Sequence, residues 1–134
     1  MRIDKDLVAA SATPLVLGIL ADGESYGYAI LKRVDELSEG QFTWTDGMLY
    51  PLLHRLERMG QVEAHWRVAP NGRRRKHYAI TEAGREALAE RRRQWAVVSG
   101  ALHRLGAQAV ATLNPVLEAR WTAALRPAPE GVAA

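Results

Sequence analysis

The 134-residue sequence predicts a mainly α fold with a small β-hairpin and a long C-terminal helix. Three observations predict it. Apolar residues recur at helical spacing in three short segments before Gly60, each bounded by capping or turn residues. The period then changes to two over Val62, Ala64, Trp66 and Val68, followed by turn chemistry at Pro70-Asn71-Gly72. Beyond Thr81 a long uninterrupted segment carries Leu88, Trp95, Leu102 and Ala109 at intervals of seven.

The first helix is expected to open at Thr13-Pro14, which has the form of an N-cap followed by proline at the first helical position. Residues 5–12 are open to a second reading as an earlier turn of the same element, with Pro14 then kinking it. Leu15, Leu17, Ile19 and Leu20 supply the apolar face, and Asp22-Gly23 is the stop. Ser25 is expected to cap the second helix, where Ile30, Leu31, Val34 and Leu37 form the inward stripe and Gly40 closes the segment.

Thr45 is expected to cap the third helix, with Asp46 complementing its dipole. Leu49, Leu52, Leu53 and Leu56 fall on one stripe, with Met59 at its edge. Gly47, Pro51, His54 and Arg58 lie opposite, flanked by Tyr50 and Arg55, so a stiff helix presents a basic outer face. After Gly60 come the two strands of the hairpin, the return strand running from Arg75 to Ile80. Trp66 shares a face with Val62 and Ala64 and is expected in the core beneath the hairpin. Trp44, just ahead of the helix cap, is expected to staple onto the body of the domain.

Thr81 caps the last element, a helix from about Glu82 to Leu113 that would extend about 50 Å at 1.5 Å per residue. A helix of that length exceeds what so small a body can cover. Val98 and Leu105 complete an a/d-like seam with the residues at intervals of seven, and that seam calls for a partner helix. Asn114-Pro115 ends the helix. Residues 116–125 are compatible with a short amphipathic helix that carries Trp121, and residues 126–134 with a disordered tail. The expected organisation is therefore a domain over 1–81, a helical region over 82–125 and the tail.

Composition narrows the function. Cysteine is absent, so disulfides, thiolate catalysis and Cys-based zinc sites are excluded. His54, His65, His77 and His103 show no metal-ligand spacing, and no metal or cofactor is expected. There is no apolar run of membrane-spanning length and no secretory signal at the N-terminus, so a soluble, cytoplasmic protein without a membrane partner is expected. Nor is there a Ser-His-Asp spacing or a phosphate-cradling glycine loop, which argues against an enzyme. Net charge is only +3, yet no acidic residue lies between Glu63 and Glu82, a gap that holds Arg67, Arg73, Arg74, Arg75 and Lys76. So local a positive field suits a polyanion.

Three helices followed by a basic hairpin is the order of a winged helix-turn-helix, whose third helix enters the DNA major groove while the wing lies on the backbone or in the minor groove. The expected DNA-facing residues are Thr45, Asp46, Gly47, Met48, Tyr50, Pro51, His54, Arg55 and Arg58 on the helix, with Arg73, Arg74, Arg75 and Lys76 on the wing. A winged helix used only for protein contact, its wing meeting an acidic partner, is the alternative.

The motifs also resemble a known family. "SYGYAILKRV" is similar to the helix-two signature of the PadR family of transcriptional regulators, and "DGMLYPLLHRLERMGQV" resembles its recognition segment, with Met48 where threonine is usual. "NGRRRKHYAITEAGREAL" follows its wing and helix-four entry, and the resemblance runs from about Thr13 to Leu88. It implies a ligand-responsive homodimeric repressor of the family's shorter branch, pairing through helix four and the N-terminal helix. The implied interface residues are Leu7, Leu88, Trp95, Val98, Leu102 and Leu105. Some members of that branch hold planar aromatic effectors between paired tryptophans at the dimer centre, which assigns Trp95, with Arg91, Gln94 and Val98, to such a pocket here.

Overall fold

A computed structural model describes residues 3–113 of the chain, with side chains through Gly106. In chain order the elements are α1 (Lys5–Ala21), β1 (Ser25–Tyr26), α2 (Gly27–Leu37), α3 (Asp46–Arg58), β2 (Val62–Val68), β3 (Arg74–Ile80) and α4 (Glu82–Leu113). The chain forms two compact units, Met1–Arg91 and Arg92–Ala134. The possible helix over 116–125, Trp121 and the tail lie outside the described residues.

Helix α1 starts earlier than its proline suggests. Asp4 is the N-cap, its carboxylate accepting from the Asp6 amide at 2.9 Å, and Thr13-Pro14 lies inside the helix. Pro14 leaves the Ala10 carbonyl without its usual donor. Burial overrides that loss, because Ala12, Val16, Leu17 and Leu20 form one apolar face that spans the proline.

Ser25 does not cap α2. It pairs with Tyr78 while Tyr26 pairs with His77, which makes a short third strand in a sheet of order β1-β3-β2. The N-cap of α2 is Tyr26, without a side-chain cap bond, at φ −126° and ψ 166°. That extended conformation serves a cap and a strand equally, which is why local capping signals do not reveal β1. The helix closes through Glu39 and Gly40, both at positive φ, with the Gly40 amide returning to the Asp35 carbonyl at 2.9 Å.

Leu49, Leu53 and Leu56 of α3 are almost wholly buried, and Leu52 nearly so. Thr45 holds the cap position through its backbone alone, since its hydroxyl makes no cap bond. At the other end Gly60 has φ 73°, its amide reaches the Glu57 carbonyl at 3.0 Å, and the Gln61 amide reaches Leu56 at 2.9 Å. This paired closure is a Schellman motif, and it points the chain directly into β2.

The antiparallel β2–β3 hairpin pairs Val62 with Ile80 through to Val68 with Arg74. At its base Val62 and Tyr78 enter the core with Ile30, Val34 and the leucines of α3. Trp66, expected in that core, is instead 59% exposed. Its strand face is continuous with Val62, but at Trp66 that face borders an open cleft shared with Tyr50 and His54 of α3.

Thr81 secures the start of α4, donating its hydroxyl to the Gly60 carbonyl at 2.6 Å and accepting from the Gly84 amide at 3.1 Å. A Cβ at Gly84 would stand 2.1 Å from the Gln61 carbonyl oxygen, so helix and turn meet at a contact that only glycine permits. Leu88, assigned above to a dimer seam, is 6% exposed and packs in the chain's own core. Leu88 and Ala87 thus pack the first turns of α4 against the core of the first unit, which extends to Arg91.

Candidate nucleic-acid interface

Burial of the leucine stripe fixes the rotation of α3 about its axis, so the residues facing away from it are set outward by packing alone. Gly47, Tyr50, Pro51, His54, Arg55 and Arg58 are all exposed, as are Thr45 and Asp46. Met48 is half-buried against the core, so it offers DNA an edge rather than a free side chain. Pro51 lies inside the helix and deprives the Gly47 carbonyl of its donor. Because Gly47 is exposed, water or a ligand can supply the missing bond at little cost.

The position of Tyr50 depends on a glycine in another helix. A Cβ on Gly27 would approach the Tyr50 hydroxyl oxygen to 2.4 Å, so the bare backbone at the start of α2 lets that phenol lie across it. Tyr50 and His54 line one side of a cleft of about 440 Å³, with Trp66, Arg74 and Arg75 of the wing across from them. Tyr50 and His54 of the helix therefore share one groove with the cations of the wing.

The wing orders its arginines individually. Its turn is closed by the Ala69 amide donating to the Arg73 carbonyl at 2.7 Å and the Arg73 amide donating to Asn71 Oδ1 at 3.0 Å, around Gly72 at φ 83°. The Arg74 guanidinium lies 5.0 Å from the Trp66 ring centroid and that of Arg75 lies 4.7 Å from Tyr26. Such cation–π stacking holds a guanidinium in place while leaving its N–H donors available. This gives exposed Trp66 a reason to be there.

Two nearby cations are engaged elsewhere. Arg67 of β2 makes a two-pronged ion pair with Glu24, through Nε to Oε1 and Nη2 to Oε2, and His77 Nδ1 of β3 stands 3.3 Å from the same carboxylate. Donation from Arg67 holds the Glu24 carboxyl below its ordinary range, against the desolvation that burial imposes, and raises the Arg67 pKa in return. Through Arg67, Glu24 thus fastens β2 to the loop that leads into β1, with His77 of β3 beside the same carboxylate. The Lys76 ammonium lies 3.6 Å from Glu57 of α3 and 5.5 Å from the Tyr78 ring. Tyr78 has a buried hydroxyl with no hydrogen-bond partner among the described residues, and burial pushes its pKa up. By contrast, Arg55, Arg58, Arg73, Arg74 and Arg75 form no ion pair among the described residues.

Of the residues singled out from sequence, Tyr50, His54, Arg74, Arg75 and Lys76 meet at the cleft, while Arg55 lines a different cavity. Sequence reasoning missed Tyr26, Tyr28 and Trp66 as cleft residues and Glu24 as the wing's anchor. Glu24 and Arg67 are 43 residues apart, so no local signal could pair them. On α4, Trp95 is 45% exposed and Leu105 87%, with Val98 and Leu102 between those values. Leu7 of α1 is likewise exposed.

A third helix with a free basic face, flanked by an arginine-bearing hairpin, defines the winged-helix class of DNA-binding proteins. The model of the PadR-like transcriptional regulator family matches residues 16–90, and the chain belongs to that family. A transcriptional regulator of Mycobacterium tuberculosis is 42% identical over 78 residues, covering 58% of this chain and 69% of that protein. One from Escherichia coli is 32% identical over 80 residues, covering 60% of this chain but 37% of its own length. Among solved structures, a PadR-like regulator from Bacillus cereus superposes with a TM-score of 0.68 at 28% identity, covering 75% of this chain and 96% of that one. These matches make the chain a transcriptional regulator rather than an enzyme. No described helix is long and apolar enough to cross a membrane.

Proposed function

We propose that the chain is a homodimeric repressor that binds a pseudo-palindromic operator and releases it in response to a small molecule. The observation that carries the DNA contact is the groove between α3 and the wing, where Arg74 and Arg75 are braced on aromatic rings opposite Tyr50 and His54. Tyr50 and His54 would read base edges in the major groove, Arg55 and Arg58 would reach phosphates, and the wing arginines would hold the backbone or a narrow minor groove. Exposed Trp95, Val98, Leu102 and Leu105, spaced three and four apart on α4, support a helical pairing seam. Two-fold symmetry would then place two recognition helices about 10 base pairs apart. Trp95 and its symmetry mate, with Arg91, Gln94 and Val98, would hold a planar aromatic effector by stacking. Such an effector acts by binding a DNA-incompetent arrangement more tightly, a coupling of about 1–3 kcal/mol in typical cases.

Selection of bound fragments from genomic DNA, followed by footprinting of the enriched sites, tests this reading. Two protected half-sites one helical turn apart are expected. A chain that stays monomeric and leaves duplex DNA unprotected at low salt would overturn it.

A further inference from the structure

Away from the wing, the first unit contains a second cavity of about 560 Å³ between the start of α1 and the outward side of α3. That volume is within the usual range of small-molecule sites. Val8, Trp44 and Leu52 give it apolar walls. Lys5 and Arg55 also line it, none of its lining residues is acidic, and neither cation is ion-paired among the described residues. The indole Nε1 of Trp44 is buried and lacks a hydrogen-bond partner among the described residues. An unpaired buried donor is costly, and a small turn of the ring toward an acceptor in the cavity would relieve it.

We propose that this cavity is a binding site for an amphipathic carboxylate, with its apolar body against Val8, Trp44 and Leu52 and its charge answered by Lys5 and Arg55. Apolar walls with two unopposed cations favour that class over a neutral apolar compound, which would leave the charges unanswered, and over a cation, which they repel. Every lining residue lies between Ile3 and Arg55, so Trp95 is not among them. It also has a regulatory consequence, which rests on the DNA-binding reading above. Met48, Pro51 and Arg55 belong both to the cavity wall and to the proposed DNA-facing set, so an occupant takes Arg55 from phosphate. Ligand and DNA then weaken each other's binding by the same factor.

Octanoate is a suitable probe, with 1-octanol as the uncharged control, titrated into the full chain by calorimetry while the indole resonances are followed by NMR. The Trp44 signal is assigned from Trp44→Phe. One octanoate per chain is expected, with the Trp44 N–H resonance moving on binding, and Lys5→Gln or replacement by octanol should each weaken binding about tenfold. Ala9, exposed on the wall and outside the DNA-facing set, supplies the blocking variant: Ala9→Leu should abolish octanoate binding and leave duplex affinity unchanged. Octanoate should lower the affinity of the wild type for duplex DNA and leave that of Ala9→Leu unaltered. Equal binding of octanol, an unmoved Trp44 signal, undiminished binding by Ala9→Leu, or a cavity closed to octanoate by a second copy of the chain would each overturn the proposal. If the chain binds no duplex even without octanoate, the DNA reading fails while the titration still decides the site.

Discussion

Replacing Arg73, Arg74 and Arg75 together with alanine should flatten the salt dependence of DNA binding by an amount that follows from their surroundings. None of the three forms an ion pair among the described residues, so each is able to displace a counterion from a phosphate. Each neutralised phosphate contributes about −0.9 to the slope of log K against log salt on B-DNA, so three contribute about 2.7 per wing. Over a rise from about 50 to 200 mM salt, that slope amounts to about a 40-fold change in affinity for one wing, and its square where a dimer applies two. Arg67 and Lys76 provide the internal contrast, because Glu24 and Glu57 already neutralise them. Arg67→Ala and Lys76→Ala should each change the slope by less than about half a unit. Fluorescence anisotropy of a labelled duplex across a salt series measures all of these. A triple variant with the wild-type slope, or Arg67→Ala flattening it as much as Arg74→Ala, would refute the division of the wing's cations into free and engaged sets.

Gly84→Ala should destabilise the first unit by about 3 kcal/mol in urea unfolding, since its Cβ would meet the Gln61 carbonyl oxygen at 2.1 Å and backbone has little room to yield. Gly27→Ala meets only the far end of a side chain, so its stability should stay within about 1 kcal/mol of wild type. Its displaced Tyr50 should nevertheless alter the preferred sequence in a fragment-selection experiment. Glu24 has a lowered pKa when folded, so its clasp contributes in full above the ordinary carboxylate range and fades as pH falls through the lowered value. Protection of the β2 and β3 amides, taken relative to the intrinsic base-catalysed exchange rate, should therefore fall on acidification in the wild type, whereas Glu24→Gln should show lowered protection already at neutral pH and lose that acid dependence. Leu102→Glu should leave the helicity of dilute protein intact yet lower the association constant in sedimentation by more than tenfold, because it buries a charge only in the pair.

Much of the fold was legible along the chain. The leucine stripe of α3, the alternation of β2, the Gly60 closure and the Thr81 cap all arise from contacts within a few residues, and periodicity reports such contacts directly. The outward set on α3 followed from that stripe, since naming the buried face of a helix names its opposite. The resemblance from Thr13 to Leu88 supplied the family, which the match over residues 16–90 bears out.

Other features depend on groups that are distant in sequence. Strand β1 exists because Ser25 and Tyr26 find β3, and the same extended backbone would have served a simple cap. Trp66 lies outside the core because it borders the open cleft between the wing and α3, which alternation cannot express. Leu88 fits a seven-residue seam and a domain core equally well, and only its burial among the core residues of the first unit places it there. Local order was thus set by short-range hydrogen bonding and apolar spacing. Which cations stay available for phosphate, and which cavity stands beside the reading helix, was decided where segments far apart in the chain meet, because ion pairing and burial depend on distance in space.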